Sequence, residues 1–369
     1  MPGHRATLSF AVIPIIDLSA ENTELKEELE AAVSRVIASG KYVLGPEVGA
    51  FEDEFANLCG TKYAVGVNSG TSALYLSLLA AGIGQGDEVI TVPFTFEATI
   101  SAIKSTGAKA RLVDIDSHSL TIDVNKIERA INPETKAILP VHLFGQPAQM
   151  DRILEIAARY GLLVIEDACQ AHGATYHGNS IGGLGDLGCF SFYPTKNLGT
   201  LGEGGIVVTN NTDFAESLRK LRSWGNIQNS GNFRMSAIQA SMLRIKLPHL
   251  HNWISKRQAI ADQYRASLNK TELLLPQVMA NTTHAFNIYG VRSPKRDLIA
   301  RTLNSQQIGT GIHYKLPLHL DTRYVDLGYD EGDFPVAEKV SREQLSLPIY
   351  PGLSKASVKT ITETVKQCL

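Results

Sequence analysis

Cysteine is scarce in this chain, and what there is stands apart. Cys59, Cys169, Cys189 and Cys368 make no Cys-x-x-Cys pair and no zinc-ligand spacing. This excludes a disulfide scaffold and a zinc module, and it fits free thiols in a reducing, cytoplasmic setting. Net charge is scarce too. Lys+Arg number 35 against 37 Asp+Glu, which leaves −2. Such a balance offers no electrostatic attraction to nucleic acid or an anionic membrane. No apolar run approaches the roughly 18 residues of a membrane span. The opening MPGHRATLSFAVIPIIDL lacks the charged start and long apolar run of a signal peptide. There is no repeat, no low-complexity tract and no cluster that calls for a metal.

What is present is ordinary soluble composition, 44% hydrophobic and 20% charged, in 369 residues. That length allows two domains with a large core. Residues 24–39 repeat apolar side chains at helical spacing and end on Gly40. Pro46 opens a second helix carrying Phe51, Phe55 and Leu58. Strands and helices then alternate. Strands are expected at 63–67, 88–92, 110–113, 137–141 and 162–165, and helices at 73–81, 97–104, 124–131 and 150–160. The alternation predicts an α/β fold with a mostly parallel central sheet flanked by helices. Residues 206–208 read as a buried strand and 214–221 as a helix. Residues 235–268 read as one long or broken helix with a kink at Pro248. The domain change is placed near Leu250, giving residues 1–250 as an amino-terminal arm and large domain, and 251–369 as a small α+β domain. There, strands are expected at 286–291 and 310–314, and helices at 297–303, 334–345 and 354–365.

Three features sit where strands end. Ser69-Gly70-Thr71-Ser72 joins a strand to a helix. Its hydroxyls and backbone N–H groups make either an anion site or a simple helix cap. Glu166-Asp167 closes a strand, where a carboxylate points into the ligand crevice of an open sheet. Such an acid would hold a ring nitrogen protonated; a helix cap or a metal ligand is the plainer alternative. Gln170 and His172 follow in the same loop. Lys196 stands among Phe190, Phe192, Tyr193 and five glycines, Gly188, Gly199, Gly202, Gly204 and Gly205. Burial there would leave more free amine, which chemistry with an aldehyde requires; an ordinary loop lysine is the other reading. Taken in order on an α/β sheet, anion site, acid and lysine are the three anchors of pyridoxal phosphate. Gly183–Gly188 matches GxGxxG, but it follows a polar loop and precedes an aromatic run, so it is not a dinucleotide fingerprint.

The motifs SGTSAL (69–74), GDEVITVPFTF (86–96), PVHLFGQPAQMD (140–151), EDACQAHGATYHG (166–178), FSFYPTKNLGTLGEGG (190–205), NFRMSAIQA (232–240) and IGTGIHY (308–314) together resemble the DegT/DnrJ/EryC1/StrS sugar aminotransferase family. The resemblance covers almost the whole chain and implies the type I aminotransferase fold and pyridoxal 5'-phosphate. It makes Lys196 the Schiff-base lysine and Asp167 the partner of the pyridinium nitrogen. Gly70, Thr71, Ser72 and Ser191 become phosphate binders. Phe96 covers the cofactor face, and Gln170 reaches its ring hydroxyl. Asn232 arrives from the neighbouring subunit, so a homodimer with shared sites is implied. Arg234 is a candidate for a carboxylate or for an interface salt bridge. Tyr193, His313 and Tyr314 are candidate sugar contacts, with packing the alternative for the last two. Family members with histidine in place of the lysine dehydrate sugars, so Lys196 favours transamination. The implied reaction moves the amino group of L-glutamate to a nucleotide-linked ketosugar, with a 3-keto-6-deoxyhexose on dTDP preferred. A 4-keto sugar, or UDP, is the runner-up. A non-catalytic regulatory protein on the same fold would be expected to lose the lysine or the acid, and both are present.

Overall fold

The computed structural model describes residues 12–225 and 228–369. Strands β1 (Tyr63–Val67), β2 (Glu88–Thr91), β3 (Lys109–Leu112), β4 (Thr135–Ile138) and β5 (Leu163–Asp167) come first. Two-residue strands β6 (Thr175–Tyr176) and β7 (Asn179–Ser180) follow, then β8 (Leu187–Ser191) and β9 (Gly205–Thr209). The central sheet has seven strands in the order β1-β9-β8-β5-β4-β2-β3. β2 pairs in parallel with β3 and β4, and β5 with β4 and β8. Only β9 runs against its neighbours, β8 and β1. The mostly parallel sheet read from the alternation is therefore present, with one reversed strand. The reversal matters for function. β8 and β9 need no crossover helix, because antiparallel neighbours can be joined by a loop at one end of the sheet. That loop, residues 192–204, carries Lys196.

The inner strands β5, β8 and β9 are buried along nearly their whole length, as expected of a sheet covered on both faces. Phe51 and Phe55, on the helix Pro46–Cys59, meet Phe190 and Phe192 edge-on, with ring centroids 5.0–5.3 Å apart. A second apolar core gathers Tyr264, Tyr289, Val291, Leu303, Leu345 and Ile361 around the antiparallel pair β11 (Tyr289–Arg292) and β12 (Gln344–Leu347). The two-residue β10 (Thr282–Thr283) pairs with β6. The chain does not divide cleanly between the cores. Ile13 joins the second, whereas Leu318, Phe334 and Val340 return to the first.

Several elements differ from the expectations. The helix at Ser69 starts earlier, at Gly70, because Ser69 caps it by accepting the Ser72 N–H at 3.1 Å. The break expected at Pro248 is present. Ala237–Lys246 and Leu250–Leu268 are separate helices joined by a 3-10 turn, since proline has no N–H to continue the ladder. The expected helix 334–345 stops at Glu343, and Gln344–Leu347 is β12. Residues 310–314 are not a strand. Only Gly311 bridges Ser346, and the His313 N–H goes to the side-chain Oε1 of Gln344 at 2.7 Å. A side-chain acceptor has replaced a ladder partner there.

The GxGxxG stretch, with Gly182 just before it, has a structural task. Gly182, Leu184 and Gly185 turn their N–H groups onto the Glu166 carboxylate at 2.8, 2.8 and 2.6 Å. It is a backbone nest for an anion that belongs to the protein itself. His142 Nε2 lies 3.0 Å from the same carboxylate, and both side chains are fully buried. The Ala148 N–H donates to His142 Nδ1 at 3.0 Å, so Nε2 carries the proton and donates to Glu166.

Candidate active site

Successive side chains of a strand point to opposite faces. On β5 this separates two adjacent acids. Glu166 turns into the nest just described, and Asp167 turns into a cavity of about 630 Å³ at the carboxyl ends of the parallel strands. The next strand, β8, pairs Cys189 with Asp167 and ends at Ser191, which lines the same cavity.

Lys196 enters from the loop after β8. Its N–H donates to Tyr193 O at 2.9 Å, and the Thr200 N–H donates to Phe192 O at 2.9 Å, which closes the loop on itself. Gly199 is required, because a Cβ there would lie 2.4 Å from Pro194 O. Lys246, almost fully buried, donates its Nζ to Gly199 O at 2.9 Å. Asn197 donates to Ala285 O at 2.8 Å and ties the loop to the segment that leads into β11. Lys196 therefore projects from a turn held on both sides. Burial lowers its ammonium below the usual lysine range, while negative charge at Cys169 and Asp167 works the other way. Burial also pushes the Cys169 thiol well up.

The turn after β1 brings hydroxyls and a helix amino end to the cavity. Ser69, Gly70, Thr71 and Ser191 line the cavity. A Cβ on Gly70 would sit 2.5 Å from Ser191 Cβ, so the two strand ends approach this closely only with glycine. Ser72 lies outside the lining. Its N–H and hydroxyl both engage Ser69 Oγ, at 3.1 and 3.0 Å, in the helix cap.

Of the other residues singled out from the sequence, Phe96, Gln170, Tyr193, His313 and Tyr314 line the cavity. Gln170 accepts the Phe144 N–H at 2.8 Å and donates to the Tyr314 hydroxyl at 3.0 Å. Tyr314 packs between Phe94 and Phe96, with centroids 6.0 and 6.2 Å away. Phe96 and Tyr193 stand about half exposed at the mouth. His313 Nδ1 lies 2.8 Å from Ser346 Oγ, and burial, with Lys196 nearby, lowers its imidazole below the usual range. Asn232 and Arg234 do not line this cavity of their own chain. They lie beside the end of β1, where Arg234 bridges Val67 and its Nε donates to Asn232 Oδ1 at 3.0 Å.

The sequence reading missed Thr95, Thr99, Asn287 and Ser346, which also line the cavity. Thr99 lies in the first turn of the helix Ala98–Ser105, and Thr95 lies in the loop just before that helix. Asn287 and Ser346 come from distant segments with no local signal.

A reversed-strand α/β sheet with a buried lysine, a strand-end acid and a hydroxyl-bearing helix start around one cavity is the arrangement of the type I aminotransferase class. The chain belongs to the DegT/DnrJ/EryC1/StrS aminotransferase family, whose model matches residues 23–366. It is 43% identical over 362 residues to the dTDP-3-amino-3,4,6-trideoxy-alpha-D-glucose transaminase of Streptomyces venezuelae, covering 96% of each chain. It is 38% identical to the UDP-N-acetyl-3-dehydro-alpha-D-glucosamine 3-aminotransferase of Acidithiobacillus ferrooxidans, covering 97% of this chain and 98% of that one. Among solved structures, Streptomyces venezuelae DesV in complex with a ketimine intermediate superposes with a TM-score of 0.93 at 43% identity. The match covers 96% of this chain and 98% of that one.

Proposed function

We propose that this protein is a pyridoxal phosphate-dependent aminotransferase that moves the amino group of L-glutamate to a nucleotide-linked ketosugar, a 3-keto-6-deoxyhexose on dTDP. The observation that carries the reading is the meeting of Lys196, Asp167 and the Ser69–Thr71 cradle in one cavity. The residues fit the cofactor. The cradle offers hydroxyls and a helix amino end to a phosphate, Asp167 offers a carboxylate to a ring nitrogen, and Lys196 offers an amine to an aldehyde. When bound, pyridoxal phosphate supplies a carbonyl that accepts the amino group and a ring that withdraws electrons. The chain's own residues do the rest. Lys196 Nζ, its proton affinity lowered by burial, takes a proton from the glutamate α-carbon and later returns one to the sugar carbon. Asp167 holds the proton on the ring nitrogen. Gln170 and Phe96 fix Tyr314 against the cavity wall, and Phe96 with Tyr193 narrows the mouth to water.

Lys196 and His313 are the only basic side chains lining this cavity among the described residues. A neutral sugar ring suits such a wall. Arg234 reaches substrate from a second subunit in this reading. The exposed apolar side chains Tyr42, Val43, Leu201 and Trp224 support a homodimer. Tyr42 and Val43 bond to the segment at Ser236–Ala237, and Trp224 bonds to Gly231 beside Asn232, so much of this apolar surface surrounds Asn232.

The test is a panel of dTDP- and UDP-linked ketosugars offered with glutamate, with the aminated carbon located by NMR. Amination at carbon 3 of the dTDP 6-deoxy sugar is expected. Turnover of only 4-keto or UDP-linked sugars would replace the substrate assignment, and a protein that neither gains colour with pyridoxal phosphate nor loses it with glutamate would defeat the whole reading.

A further inference from the structure

Two hydroxyls in the cavity have no part in the chemistry above. Thr99 Oγ1 donates to Asp167 Oδ2 at 2.9 Å, and Thr95 Oγ1 lies 2.9 Å from Thr99 Oγ1. Thr99 is 0% exposed and Thr95 2%. A threonine hydroxyl has one proton to give. Thr99 gives its proton to the carboxylate, so the proton between the two threonines must come from Thr95. The pair is therefore a directed chain, Thr95 to Thr99 to Asp167, in which each bond polarises the next. Thr99 also lies in the first turn of the helix Ala98–Ser105, the end that carries positive partial charge. On the other carboxylate oxygen, Oδ1, the Cys169 N–H donates at 3.2 Å. Asp167 is thus gripped on both oxygens by donors that carry no charge.

We propose that Thr99, backed by Thr95, is a positioning residue that holds the Asp167 carboxylate turned toward the ring nitrogen of pyridoxal phosphate. This rests on the cofactor reading above. A cation beside Asp167 would hold the acid ionised by charge alone, but it would also repel a protonated ring. Neutral hydroxyls hold the acid without that repulsion. Without the Thr99 proton, the carboxylate competes harder for the ring's proton and is free to rotate about its last bond.

Packing offers a competing role for the same side chain, and two substitutions separate the roles. Thr99→Val keeps the shape and removes the proton. Thr99→Ser keeps the proton and removes a methyl group. The measurements are the dissociation constant for pyridoxal phosphate and the pH midpoint of the bound cofactor's visible absorbance. The melting temperature of the cofactor-free protein serves as the control for folding. Thr99→Val is expected to weaken cofactor binding about tenfold or more, the scale of a lost hydrogen bond to a charged group. Its absorbance midpoint should rise, because a less charged ring lets the nitrogen at Lys196 keep its proton to higher pH. Thr99→Ser should stay within about twofold of the parent on binding. If Thr99→Val does not fold, Thr95→Val, which removes only the outer hydroxyl, should shift the midpoint the same way by less. A parent that takes up no pyridoxal phosphate defeats the cofactor reading itself. A parent that binds it, with Thr99→Val matching that parent or Thr99→Ser impaired as badly as Thr99→Val, overturns the role of Thr99 alone.

Discussion

Glu166 and Asp167 are neighbours in sequence, and replacing each by its amide should break different things. Glu166 receives four donors: the N–H groups of Gly182, Leu184 and Gly185, and His142 Nε2. Leu184 and Gly185 bond to Oε1, and Gly182 and His142 to Oε2. In Glu166→Gln, whichever way the amide turns, its NH₂ faces two of these donors. Two buried donors are left unpaired at about 1–3 kcal/mol each, so the loss is about 4 kcal/mol. With an unfolding entropy of about 2.1 cal/mol/K per residue, a chain of 369 residues loses roughly 1.3 °C per kcal/mol, so the melting temperature should fall by about 5 °C. Asp167→Asn keeps one oxygen for Thr99 and leaves one donor, the Cys169 N–H, unpaired, so it should cost about 2 kcal/mol, half as much, but it should abolish the ring-nitrogen partnership and with it nearly all turnover. The assay is thermal melting of the cofactor-free proteins beside the glutamate-driven colour change of the loaded ones. Equal loss of stability in both variants, or a Glu166→Gln protein as stable as the parent, would refute the assignment of the two faces of β5.

Acid should destabilise the fold through buried histidines. Burial lowers His172 and His284 to about 3, against an ordinary value of 6.5. Between those values the unfolded chain binds protons that the folded chain refuses, so stability is full above pH 6.5 and falls as pH drops toward 3. Each histidine costs about 2 kcal/mol between pH 6.5 and 5. His284→Asn, which keeps an acceptor for the Phe286 N–H now donating to Nδ1 at 2.9 Å, should flatten the melting temperature between these pH values; an unchanged slope would remove His284 from the account. The shared-site reading is checked by complementation. Lys196→Ala and Asn232→Ala should each be inactive alone and should regain turnover when mixed and allowed to exchange subunits. No recovery despite exchange would place Asn232 outside the partner's site.

The fold was largely legible because its signals are local. Apolar spacing, proline at helix starts and glycine at helix ends act over a few residues, and they marked most of the strands and helices of the central sheet. Legibility failed where the deciding partner is far away in the chain. Gln344 and Leu345 read as the end of the helix that starts at Pro335, yet Gln344–Leu347 is a strand because Tyr289–Arg292 offers it an edge. Residues 310–314 look like a strand, but Gln344 takes the His313 N–H with its side chain.

The sequence by itself determined that a lysine, an acid and a glycine-hydroxyl turn would each stand at the end of a strand. The resemblance named Asp167 as the acid of the site, but only the tertiary structure decided what holds each acid in place, since that depends on where His142, the Gly182–Gly185 backbone and Thr99 come to lie. Those partners sit 16 to 68 residues from the acids they hold, and no period of two or of three and six tenths carries information over that distance.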